Sequence, residues 1–219
     1  MLKFLLGMAC SGLMMAGTAA AADVTTVPTP AFDWSGPYAG VQGGFATGLV
    51  NQRIPTYGPN IPVGNLSGAL VGGYAGWRKQ LNTVVLGAEL GANWRFVDGN
   101  NSSGNGATEM LDTKQNWDAS LVAKVGVPMN QVLIYALGGA DVSSFNAKYS
   151  TGGSRSADAT AWGWVAGAGI EAALSQKVTA RIEYRYTSYG EVSVKCPTCG
   201  PTFVTPQEHS VAVGLSYKF

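Results

Sequence analysis

The last ten residues, Ser210 to Phe219, alternate without a break. Val211, Val213, Leu215, Tyr217 and Phe219 fall on one parity, and Ser210, Ala212, Gly214, Ser216 and Lys218 on the other. A period of two places each set on one face of a β-strand. The same grammar recurs upstream. In Lys177–Thr187 an apolar row (Val178, Ala180, Ile182, Tyr184, Tyr186) opposes Thr179, Arg181, Glu183, Arg185 and Thr187. In Val84–Val97, Leu86, Leu90, Trp94 and Phe96 oppose Glu89, Asn93 and Arg95. In Trp117–Val127, Leu121, Val125 and Val127 oppose Asp118, Ser120 and Lys124. In Ala161–Leu174, Trp162, Trp164 and Ile170 oppose Glu171 and a row of glycines. Pro37–Thr47, Ala69–Arg78 and Gln131–Ser144 fit less cleanly, and in the last we assign Val132, Ile134, Ala136 and Val142 outward. The pattern predicts eight strands.

The connections alternate in length. Lys79–Asn82, Pro128–Asn130 and Ser175–Gln176 are short, whereas Leu49–Ser67, Asp98–Asp112, Asn146–Thr160 and Ser188–Pro206 are long and polar. An up-and-down meander with every long loop at one end produces this order. The fold class expected is all-β, an eight-stranded antiparallel up-and-down transmembrane β-barrel.

Composition decides which face is wet. Charged residues are 12%, about half the usual ~25% of soluble chains, and 30 of 219 residues are glycine, about twice average usage. The glycines and both signs of charge lie on the same parity, which suits the crowded interior of a narrow membrane barrel. The nine candidate lumen charges are Arg78, Glu89, Arg95, Asp118, Lys124, Glu171, Arg181, Glu183 and Arg185. Buried charges are tolerable when paired, and cross-barrel pairing of Arg181 and Arg185 with Glu171 or Glu89 is expected because their own strand offers few acceptors. Aromatics near strand ends on the apolar parity, such as Trp94, Trp162, Tyr184 and Tyr217, match the girdles of a lipid-facing belt.

Residues 1–22 (MLKFLLGMACSGLMMAGTAAAA) combine Lys3, a short apolar run and Ala20-Ala21-Ala22, which is the form of a secretory signal peptide. Its removal takes Lys3 and leaves 13 basic against 13 acidic residues. That balance argues against a nucleic-acid partner. Residues 23–33 are Thr- and Pro-rich and read as a periplasmic leader without packing duties, followed by the barrel over 34–219.

The opening WSGPYAGVQGGFATG, Trp34–Gly48, resembles the first strand of the porin-like surface-antigen proteins of Gram-negative outer membranes. The ending SVAVGLSYKF resembles the closing strand of outer-membrane barrels generally. The resemblance spans Trp34–Phe219 and implies an eight-stranded barrel of the OmpA/OmpX kind in the cell outer membrane. It also implies that Leu215, Tyr217 and Phe219 carry the signal read by the barrel-assembly machinery. Expected partners are outer-membrane lipid and lipopolysaccharide, that machinery during biogenesis, and an extracellular ligand of unknown identity.

Function reads as a structural or surface component of the envelope, with a minor diffusion porin as the alternative and an outer-leaflet lipid-modifying enzyme behind it. Cys196-Pro197-Thr198-Cys199 has redox spacing, but Pro197, Gly200 and Pro201 forbid the helix that would stabilise a thiolate, so a local loop disulfide or a pair of solvent thiols is the plainer reading. His209, the single histidine, cannot pair with Ser210, because strand neighbours point to opposite faces. No catalytic residue, cofactor or metal site is expected.

Overall fold

The computed structural model describes residues 32–53, 61–100, 111–150, 154–190, 192–196 and 200–219. Side chains are described over 32–48, 67–97, 115–144, 160–190 and 206–219. The signal-peptide reading of residues 1–22 lies outside the described residues.

The strands are β1 (Gly36–Arg53), β2 (Ile61–Leu81), β3 (Val84–Asn100), β4 (Leu111–Met129), β5 (Val132–Ser150), β6 (Ser154–Ala173), β7 (Val178–Tyr189), β8 (Val192–Cys196) and β9 (Gly200–Lys218). Each pairs antiparallel with its neighbour, and β1 pairs with β9 from Tyr38↔Lys218 to Arg53↔Phe203, closing the sheet. β7 and β8 run in sequence along the same edge of β9, with Ser188 opposite Gln207 and Val192 opposite Val204. They act as one interrupted wall strand, so the barrel has eight.

Three of the four segments read as long loops, Leu49–Ser67, Asn146–Thr160 and Ser188–Pro206, are largely strand. β5 and β6 pair out to Ser150↔Ser154, deep within the stretch taken as a loop. Polar residues there carry no apolar alternation to mark them, yet backbone ladder bonds need no side-chain pattern to continue. At the opposite end the turns are tight. Asn82 and Asn130 take positive φ of 52° and 58°, a left-handed conformation that asparagine tolerates.

Face assignment is uniform. Val41, Phe45, Leu90, Trp94, Leu121, Trp162, Ile182, Val213, Leu215, Tyr217 and Phe219 project outward and exposed. Val132, Ile134, Ala136 and Val142 of β5 share that outer face, while Leu133, Tyr135 and Leu137 are buried within. One bulge changes parity. The β4 register shifts between Gln115 and Trp117, so Trp117 faces out while Gln115, two residues away, is buried.

The lumen is close-packed because cross-strand partners differ in size. Gly40 opposes Tyr74, Gly76 opposes Tyr38, Gly169 opposes Tyr135 and Gly163 opposes Tyr189. In each pair the ring lies over the glycine, and a Cβ on Gly76 would sit 2.7 Å from the Tyr38 ring. The inward glycines are thus the slots into which lumen tyrosines fold.

Residues before β1 also pack. Phe32 and Trp34 are buried with Val85, Val122, Leu133 and Tyr135 at the short-turn end. This corrects the reading of residues 23–33 as free of packing duties, at least for Phe32. A single aromatic in a Thr/Pro-rich stretch gives no periodic signal, so its burial was not visible in sequence.

The lumen network as candidate functional site

The nine charged residues expected in the lumen all point inward, and eight of them are buried, Lys124 being half-buried. They divide into three connected tiers.

The middle tier centres on Glu89 of β3. It accepts from Arg181 Nη1 of β7 at 2.6 Å, Lys124 Nζ of β4 at 2.8 Å, Tyr38 Oη of β1 at 2.8 Å and Arg185 Nη2 of β7 at 3.4 Å. Glu183 accepts from Lys124 at 2.9 Å, Tyr135 Oη at 2.6 Å and Arg185 Nε at 2.6 Å. Two carboxylates and three cations therefore share one cage. Arg181 also lies over the Tyr74 ring, 3.3 Å from its centroid. Inside a low-dielectric barrel such pairs are tolerable because nearly every lone pair and proton has a partner.

A polar chain climbs from this cage. Arg181 Nη2 donates to Gln42 Oε1 at 2.8 Å, Gln42 Nε2 to Asn93 Oδ1 at 2.7 Å, and Asn93 Nδ2 to Asp118 Oδ2 at 2.8 Å. Arg95 then bridges Asp118 and Glu208. Beside this upper tier Tyr189 Oη donates to Asp141 at 2.9 Å. The lower tier, at the tight-turn end, is Arg78 Nη1 to Glu171 at 2.9 Å, with Thr179 Oγ1 on the other carboxylate oxygen at 2.5 Å.

The expected cross-barrel pairing of Arg181 and Arg185 with Glu171 or Glu89 is made with Glu89, and Glu171 takes Arg78. Arg185 also finds an acceptor on its own strand, Glu183, since residues two apart share a face. Sequence reasoning missed Glu208, Asp141 and the lumen tyrosines. Glu208 falls between the loop reading that ends at Pro206 and the alternation that begins at Ser210, and Tyr38, Tyr74 and Tyr135 have the right parity but were not singled out. Five lumen cations (Arg78, Arg95, Lys124, Arg181, Arg185) face six carboxylates (Glu89, Asp118, Asp141, Glu171, Glu183, Glu208) among the described residues.

Little space is left. One cavity is lined by Gln42, Asn93, Arg95, Asp118, Asp141 and Arg185, among others, and a second by Tyr38, Arg78, Lys124, Leu133, Tyr135 and Glu171. Each is about 10 Å³, room for about one water.

The other candidates lie outside the lumen. His209 is exposed on the outer face, with Nδ1 2.6 Å from Tyr184 Oη and its ring 5.0 Å from that of Tyr186. Ser210 is buried on the opposite face. Leu215, Tyr217 and Phe219 are exposed, and the Tyr217 and Phe219 rings meet edge to face at 5.2 Å. Cys196 ends β8, while Cys199, and with it the expected disulfide, lies outside the described residues.

Comparison with known proteins places this geometry. A family model described as outer membrane protein beta-barrel domain matches residues 8–219. The 31 kDa outer-membrane immunogenic protein of Brucella melitensis is 33% identical over 94% of this chain and 95% of its own length. The 25 kDa outer-membrane immunogenic protein of Brucella abortus is 31% identical over 100% of this chain and 99% of its own. Among solved structures, the outer membrane protein OprG of Pseudomonas aeruginosa superposes with a TM-score of 0.58 at 18% identity, covering 84% of this chain and 97% of that one. That last likeness concerns the fold alone.

Proposed function

The chain belongs to the outer membrane protein β-barrel family, and from that premise we propose that it is a closed structural and surface component of the envelope. In this reading the barrel is an anchor that presents its outer hairpins, rather than a diffusion pore or an enzyme. Location in the Gram-negative outer membrane follows from the family and its outer-membrane relatives.

The observation that carries the proposal is the bond from Arg181 to Glu89 across the lumen, reinforced by Lys124, Arg185 and Glu183. A barrel whose interior is filled by paired side chains has no path for solutes. Its remaining working surface is the outer rim, where β5 and β6 extend to Ser150 and Ser154. The names of the Brucella relatives record that those proteins are immunogenic, which supports presentation at the cell surface.

Partners follow from the same picture. The exposed aromatic and aliphatic belt meets lipid and, in the outer leaflet, lipopolysaccharide. The exposed Leu215–Tyr217–Phe219 row is offered to the assembly machinery, and the hairpins to an extracellular ligand. An enzyme is disfavoured because the described partner of His209 is a tyrosine hydroxyl, with no serine hydroxyl bonded to it among the described residues.

The test is complementation of a deletion strain. The whole chain should restore detergent resistance and surface antibody binding. A chain with 145–159 shortened to a tight turn should restore resistance while losing antibody binding. Restoration of small-solute uptake by the whole chain would instead favour the porin reading.

A further inference from the structure

The lipid-facing belt is interrupted by one polar cluster near the outer end of β9. His209 is exposed there, between Thr47 of β1 and Tyr186 of β7. It is the one basic side chain on the outer half of the belt among the described residues. Its Nδ1 lies 2.6 Å from Tyr184 Oη. Tyr184 opposes Val211, nearer the tight turns, so it holds the imidazole from below and leaves Nε2 on the far side of the ring. A tyrosine hydroxyl donating to Nδ1 puts the proton of the neutral ring on Nε2, a donor at the outer interface. The rings continue sideways, since Tyr186 lies 5.0 Å from His209 and 5.3 Å from Trp164 between centroids.

Beside these rings the belt is hollow. On β5 and β6 the outward positions Ala136, Gly138, Ala140, Ala166 and Ala168 carry a methyl group or less. Larger neighbours frame them. Leu121 and Val125 of β4 stand on one side, and Tyr184 and Tyr186 of β7 on the other. Ile134 and Ile170 close the basin towards the tight turns, and Trp164 closes it towards the outer rim. Three strand spacings of about 4.8 Å make it about 14 Å wide. One register row joins the hollow to the polar cluster, running His209, Tyr186, Ala166, Gly138, Ala123, Ala88. It starts high on β9 and next meets Trp77, close to the tight turn after Leu81. The row therefore slants from the outer interface down into the hydrocarbon. Flexible tails cover a flush belt equally well, whereas a hollow that ends in polar rings is complementary to one amphipathic molecule, with its chain in the hollow and its head at the rings.

We propose that the β5–β6 basin and the His209 cluster together bind one acylated, phosphorylated sugar of the outer leaflet, the lipid anchor of lipopolysaccharide. An acyl chain lies over Gly138 and Ala166, a sugar ring stacks on the Trp164–Tyr186 pair, and His209 Nε2 donates to a head-group oxygen. The inference rests on the outer-membrane placement of this face and on lipopolysaccharide as its neighbour, and it adds a fixed position for that lipid on the barrel wall. The opposite wall offers no such seat, because its outward row carries Val41, Phe45, Val211 and Val213.

The experiment uses the folded full-length mature chain in phosphatidylcholine nanodiscs. Lipid A is added at rising mole fraction, with phosphatidylglycerol, anionic and without a sugar, as the control. The Trp164 indole and His209 imidazole signals are followed by NMR. The expected result is a saturable shift of both signals with lipid A and none with phosphatidylglycerol. Gly138→Leu fills the basin floor, where the nearest atom to an added Cβ is 3.8 Å away, and should weaken binding about tenfold or more. His209→Phe keeps a ring, removes the donor, and should weaken binding severalfold, read at Trp164. Both positions face lipid and leave the lumen untouched, so both variants should fold. Absence of a saturable shift, an equal response to phosphatidylglycerol, or unchanged affinity in either folded variant would overturn the proposal. Conductance separates the failures. A conducting wild type that still binds lipid A would overturn the closed-anchor reading alone, and a closed wild type without the shift would overturn this site alone.

Discussion

Arg181 and Glu89 sit on diametrically opposed walls of the eight-stranded barrel, on β7 and β3, and their side chains meet at 2.6 Å. That bond crosses the lumen at its centre. Lys124 on β4 makes a second crossing to Glu183 on β7 at 2.9 Å. The two bonds turn a cylinder of strands into a solid, and they locate the energetic weak point of the design at Glu89, which carries four of the donors.

Removing that carboxylate should be costly. Glu89→Ala leaves Arg181 and Lys124 each short of a partner, and breaking a buried ion pair from one side costs about 3–5 kcal/mol. Urea unfolding in lipid vesicles should show that loss. Glu171→Ala should cost less, since it strips Arg78 alone of its carboxylate while the central cage stays intact. A larger loss for Glu171→Ala would place the centre of the network elsewhere.

Glycine replacements should separate by face. Gly76→Ala puts a methyl group 2.7 Å from the Tyr38 ring, itself bonded to Glu89, and should cost about 1–3 kcal/mol by overpacking. Gly138 faces lipid, and its nearest atom to an added Cβ is 3.8 Å away. Gly138→Ala should therefore change stability by about 0.5 kcal/mol or less. The same vesicle assay distinguishes the two.

Depth in the bilayer gives a third check. Leu121 lies mid-strand and 59% exposed on the outer face, whereas Trp162, 70% exposed, lies near the outer rim. Leu121→Arg should cost roughly 2–4 kcal/mol and Trp162→Arg about 0–1 kcal/mol. Equal costs would mean that the belt is placed at the wrong height.

The closing strand carries the biogenesis prediction. Phe219→Ala should lower the yield of heat-modifiable, folded barrel in the outer membrane, because it removes the exposed terminal ring packed on Tyr217. Unchanged yield would separate the terminal aromatic from assembly.

Strand parity was legible because lipid demands it. Every outward position from Leu86 to Phe96 or from Val211 to Phe219 must be apolar or small, so a period of two is written plainly there. The charged lumen was legible for the same reason, as the residue of that pattern. Partner choice was not, because Glu171 and Glu89 have the same parity and only register and strand stagger decide which arginine each meets. Gln115 was hidden by the bulge at its side, and a bulge costs one residue with no compositional mark. The outer strand extensions were hidden because water, unlike lipid, imposes no alternation on them. Trp34 was visible as a motif residue, but nothing in its neighbours says that it turns into the barrel and stacks on Arg78.

The central claim is that crossing ion pairs close the barrel, and conductance of the purified protein in planar bilayers tests it most directly. The wild-type chain at neutral pH should show no steady channel, while Glu89→Ala combined with Arg181→Ala, which removes the central bond from both sides, should show measurable leak events. Large and stable channels from the wild-type protein would contradict the account and make the chain a porin.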